Sequence, residues 1–62
     1  MKPEIEAKIE ELEQTLKGMD VPTERKRSIP WLMRNLGVRN SGHKNYAKAM
    51  QIVTELNAKG VR

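Results

Sequence analysis

The apolar positions of the chain fall into three sets, each spaced like one face of an α-helix. In the first set, Ile5, Ile9, Leu12, Leu16 and Met19 alternate steps of four and three residues. At 100° per residue these positions gather on a stripe about 80° wide, narrower than the face of most core-packed helices. A stripe of that width fills a single groove, either between the other helices of the same chain or on a second copy. The pattern lasts barely two heptads, short of a sustained coiled coil, so packing within the chain is the favoured expectation.

In the second set, Ile29, Leu32, Met33 and Leu36 occupy i, i+3, i+4 and i+7, which places them on one buried face. Trp31, Arg34 and Asn35 then point to the opposite side of the same helix. In the third set, Tyr46, Ala49, Met50, Val53 and Leu56 form the inward face, with Ala47 beside it. Lys44, Lys48, Gln51, Glu55 and Lys59 lie outward, and Ile52 is an isolated apolar residue among them.

The residues between these sets supply starts and stops. Pro3 suits a first helical turn, where its missing N–H costs nothing, and Glu4 and Glu6 complement the positive end of the helix dipole. Gly18 offers a stop, followed by an Asp20-Val21-Pro22-Thr23 connector. Inside a continuous helix the ring of Pro30 would clash with the Lys26 carbonyl at a cost of about 3 kcal/mol. Ser28 is therefore read as the N-cap, with Pro30 safely in the first turn; one kinked helix from Val21 to Leu36 is the alternative. Gly37 closes the second helix with Val38 as its apolar cap contact, and residues 39–45 read as a polar loop in which Ser41 or Asn45 caps the third helix. Gly60 ends that helix. The expectation is one all-α domain spanning residues 1–62, a small three-helix bundle with helices over about residues 3–17, 28–36 and 43–58.

Composition narrows what such a bundle can be. A chain of 62 residues buries only about 60% of the surface it exposes when unfolded. A core of this size rarely supplies more than about 3–5 kcal/mol of net stability, and with no cysteine there is no disulfide to help. A homodimer is thus a candidate assembly. The absence of cysteine fits a reducing compartment, and no apolar leader follows Met1. The longest apolar run, residues 29–33, falls far short of the about 20 residues that cross a bilayer. A soluble, cytoplasmic protein with no membrane partner is expected.

Charge is unevenly placed. Residues 1–20 carry three lysines against six acidic side chains, net −3, and residues 21–62 carry nine basic against two acidic, net +7; together they make the overall +4. Such a division suggests an anionic partner for the basic part, or internal pairing in which the acidic first helix neutralises the others.

Catalytic chemistry finds little support. One histidine, no cysteine and outward-facing carboxylates make neither a nucleophile–base pair nor a buried carboxylate pair. His43 has no convergent partners for metal binding, and the four glycines are too dispersed for a phosphate loop. A non-enzymatic binding module without cofactor or metal is expected. Its candidate contact residues are Arg25, Lys26, Arg27, Trp31, Arg34, Asn35, Arg39, Asn40, His43, Lys44 and Lys48.

Two uses fit those residues. Lysines and arginines bind phosphate backbones by releasing counterions, asparagines bond to phosphates or base edges, and Trp31 or Tyr46 can stack on an unpaired base. DNA or RNA is therefore the leading partner class. The alternative is an acidic protein partner held by the Trp31/Arg34 face or by the first-helix seam, since tryptophan and arginine are enriched at binding hot spots. Leu32 to Val38, with the polar turn and helix that follow, resembles the first helix and turn of a helix-turn-helix, which would imply DNA reading by the third helix. The resemblance stops at His43, where that motif wants an apolar residue. Arg34, Asn35, Arg39, Asn40 and His43 have a second possible role as a network capping helix ends.

Overall fold

The computed structural model describes residues 2–21 and 28–62, and every regular element among them is helical. Helix α1 spans Pro3–Leu16, α2 spans Ile29–Asn35, α3 is a single turn over Gly37–Asn40, and α4 spans Tyr46–Ala58. The three longer helices make the all-α bundle expected from the periodicity, with α3 continuing α2.

Helix α1 begins with Pro3 and carries Glu4 and Glu6 in its first turn. It stops because Lys17 is extended (φ −61°, ψ 133°) and Gly18 takes φ +83°. The Met19 N–H donates to the Leu16 carbonyl at 3.0 Å, so residues 16–19 form a type II turn, whose third residue must be glycine-like. At the far end, α4 closes in a Schellman motif: Gly60 (φ +81°) donates to Asn57 and Val61 donates to Leu56. Val61 folds back against the core.

Ser28 is extended (φ −88°, ψ 108°), and its hydroxyl accepts the Trp31 N–H at 3.4 Å, with Pro30 in the first turn. The helix thus starts at Ile29, and a helix running unbroken through Ser28 is excluded. Gly37, expected to close α2 with a left-handed cap, does something else. Leu36 stays right-handed (φ −56°, ψ −38°) and donates to the Leu32 carbonyl at 2.8 Å, and the chain goes straight on into α3. Glycine stands at position 37 because the Tyr46 ring lies over it: a Cβ there would sit 3.0 Å from the phenol oxygen. The loop expected over 39–45 therefore begins as helix, with Arg39 and Asn40 inside α3. The tight turn of a helix-turn-helix is absent at this point.

The third long helix starts at Tyr46, three residues later than the sequence suggested. Residues 41–45 turn instead, through His43 N–H to Asn40 C=O (2.8 Å) and Tyr46 N–H to His43 C=O (3.0 Å). Asn45 occupies the N-cap position but makes no side-chain cap bond. Its amide reaches across to donate to the Thr15 carbonyl at 3.2 Å, satisfying one of the orphan acceptors at the end of α1.

Helix α4 is the centre of the bundle. It packs on α1 along one side and on α2 along another, while α1 and α2 barely meet. The α1 stripe therefore lies on α4, and not in a groove between two helices. Leu32, Leu36, Val53 and Leu56 are fully buried, surrounded by Ile5, Leu12, Leu16, Ile29, Ala49 and Ile52. Ile52, read from the sequence as outward, is 3% exposed. Covering two neighbours rotates the buried arc of α4 by about 50° towards Ile52, leaving Met50 only half-buried. Ion pairs bind the same α1/α4 seam from outside, Lys8 Nζ to Glu55 at 3.3 Å and Lys48 Nζ to Glu11 at 3.7 Å, and Lys8 also lies 3.9 Å from Glu11 on its own helix. That order, with residue 11 opposite 48 and residue 8 opposite 55, makes the two helices antiparallel. No helix among the described residues is long and apolar enough to cross a membrane.

Candidate binding surface

Because Leu36 keeps helical dihedrals, α2 and α3 present one nearly continuous outer face. Trp31, Arg34, Asn35 and Val38 stand at i, i+3, i+4 and i+7 on it, opposite the buried Ile29, Leu32 and Leu36. Trp31 is half-buried, its ring packed against the edge of the core. The Asn35 amide donates to the Trp31 carbonyl at 2.9 Å, which holds that side chain close to its own helix. Val38 is 72% exposed, the one large apolar side chain among the described residues that is left in solvent. Arg34 is also exposed.

Beside this face opens a shallow cavity of about 190 Å³ lined by Asp20, Trp31, Asn35, Val38 and Arg39. Asp20 belongs to the connector after α1, and it is brought here by Asn40. The Asn40 side chain is 4% exposed and clamps the Asp20 backbone from both sides: Oδ1 accepts the Asp20 N–H at 2.9 Å, and Nδ2 donates to the Asp20 carbonyl at 3.0 Å. Nδ2 also donates to the Leu36 carbonyl at 3.2 Å. Held there, the Asp20 carboxylate accepts from Arg39 Nη1 at 3.2 Å across the mouth of the cavity.

The sequence-predicted contact residues thus divide. Trp31, Asn35 and Arg39 come together around the cavity, with Arg34 on the adjoining face. The amide of Asn40 is turned inward, which leaves it no group to offer a ligand and makes it part of the scaffold. Its capping role was foreseeable, its burial was not. Lys48 lies on the α1/α4 seam beside Glu11, away from α2. His43 Nδ1 accepts the Asn45 N–H at 3.0 Å, which orders the turn before α4, and Lys44 is exposed next to it. Arg25, Lys26 and Arg27 lie outside the described residues. Among the described residues, no carboxylate stands within ion-pair distance of Arg34 or Lys44, and no three His, Asp or Glu side chains converge as a metal would require.

Two members of the surface escaped the sequence reading. A helix that ends at Gly37 makes Val38 a cap contact, whereas the helix that continues puts it at i+7 from Trp31. Asp20 was an ordinary connector residue, and nothing local announces that a buried asparagine 20 positions later holds it. In chemical terms the surface offers an aromatic ring, an aliphatic side chain and a guanidinium paired with a carboxylate around a recess. Compared with known protein families, curated proteins and solved structures, the chain matches none of them.

Proposed function

We propose that the chain is a non-enzymatic protein-interaction module, and that the outer face of α2 and α3 holds a partner segment with an apolar anchor next to carboxylates. The observation that carries this reading is the exposure of Val38 at 72% beside the Trp31 cavity. An apolar centre with a charged rim is the usual anatomy of a protein interface, and tryptophan and arginine supply a disproportionate share of interface energy. Arg34 and Arg39 favour a partner that is acidic around its anchor. The recess between Trp31 and Val38 has room for one aliphatic side chain.

A nucleic-acid reading has its own support in the +7 carried by residues 21–62 and in the exposed Arg34 and Lys44. It ranks second because Lys48 is already paired with Glu11 on the α1/α4 seam, away from the Trp31 face. Selection from a displayed library of random peptides distinguishes the two. The interaction reading expects enriched peptides with an aliphatic residue flanked by Asp or Glu on the wild-type chain, and no enrichment on Val38→Asp. Failure to enrich any peptide, together with oligonucleotide binding that falls steeply with salt, would replace it by the nucleic-acid reading.

A further inference from the structure

Arg39 and Asp20 meet through one contact only, Nη1 to Oδ2 at 3.2 Å, and their side chains are 73% and 62% exposed. A guanidinium has five N–H donors in a planar fork, so among the described residues this end-on contact engages only one of them. The backbone of Asp20, by contrast, is fixed independently of its carboxylate, by two hydrogen bonds from the buried Asn40. The connector would therefore stay in place without the carboxylate. Asp20 and Arg39 also share the cavity with Trp31 and Val38, so an apolar group entering there brings any acidic neighbour within reach of Arg39.

We infer that Asp20 is an internal placeholder for a partner carboxylate and that Arg39 is the residue that receives it. The inference rests on the interaction reading above and adds to it which residue selects acidic partners and what competes for that residue. Exchange of one carboxylate for another at a solvent-exposed guanidinium needs no new desolvation, so the internal pair lowers the affinity without closing the site. A partner lacking an acidic residue beside its anchor leaves the Asp20–Arg39 pair intact and gains only the apolar contact.

The test uses the full chain, labelled with ¹⁵N, and the peptide acetyl-Leu-Glu-Glu-Leu-amide as probe, with binding followed by NMR shifts at the Trp31 indole N–H and the Val38 amide. Asp20→Asn is expected to tighten binding by about two- to fivefold, the range of one exposed ion pair. Glu6→Gln, which removes the same charge from the far end of α1, serves as the control and is expected to leave the affinity close to that of wild type. Arg39→Gln is expected to weaken binding, and the double variant Asp20→Asn/Arg39→Gln to show no gain over Arg39→Gln. Equal affinities for Asp20→Asn and Glu6→Gln, or a gain that survives loss of Arg39, overturns the placeholder role while leaving the interaction reading standing. Absence of binding to the wild type and to every variant overturns both.

Discussion

Replacing Asn40 by alanine removes the clamp that ties the connector after α1 to α3, and its cost can be worked from the contacts. Two hydrogen bonds cross to the Asp20 backbone and a third goes to the Leu36 carbonyl. A typical intramolecular hydrogen bond contributes about 0.5–1.5 kcal/mol net. Asp20 is exposed, so water can partly re-solvate its N–H and carbonyl, which favours the low end for those two bonds. The loss expected is about 1–3 kcal/mol, against the about 3–5 kcal/mol that a core of this size supplies. At about 4–8 °C per kcal/mol for a domain this small, Tm falls by about 8–16 °C for a loss near 2 kcal/mol. Thermal melting followed by circular dichroism at 222 nm measures the shift, and hydrogen exchange locates it, because the Asp20 amide should lose its protection first. Asn40→Asp keeps the acceptor and removes the donor, so it should cost at least as much as alanine at neutral pH. A Tm within about 2 °C of wild type for Asn40→Ala would refute the clamp.

Leu56→Ala empties a fully buried site on the central helix, and the about 3–5 kcal/mol such a change costs should leave the chain largely unfolded at 25 °C by circular dichroism. Gly37→Ala gains about 1 kcal/mol of helix propensity but brings a Cβ to 3.0 Å from the Tyr46 oxygen; denaturant titration should show the substitution more favourable in a Tyr46→Phe background than in wild type, and equal effects in both would dismiss the contact. Gly18→Ala forces a side chain into φ +83° and should cost about 1–2 kcal/mol, whereas Gly42→Ala, with open space around it and no positive φ, should be nearly silent in the same titration. Ile5, Leu12 and Leu16 are buried in the chain's own core, so sedimentation velocity should show a monomer across concentrations; a dimer abolished by substitution on the α1 stripe would contradict that packing.

What the periodicity made legible were interactions settled within one helix. The α1 stripe, the Ser28 cap with Pro30 behind it and the Gly60 stop all depend on neighbours within about two turns, and each is found where the spacing placed it. Positions decided by a second helix were less readable. Ile52 looked exposed because its own wheel surrounds it with polar residues, and only the placement of α1 along that side buries it. Gly37 looked like a terminator because glycine usually is one, yet here it makes room for an aromatic ring nine residues further on. At the candidate surface, Trp31, Arg34 and Asn35 were visible as an outward group, since a helical face is a local property. Asp20 and Val38 were not, because the first depends on a long-range clamp and the second on a helix that passes through its expected end.

The central claim is that the outer face of α2 and α3, and not the basic surface of α4, meets the partner. A ¹H–¹⁵N shift map of the full chain, titrated with a peptide enriched on the wild type, tests it most directly. The account predicts perturbation concentrated at residues 31–39 and at Asp20, with the amides of Lys44, Lys48 and Gln51 unmoved. Shifts centred on Lys44 and on Lys48 and Gln51 of α4, with Trp31 and Val38 silent, would contradict it.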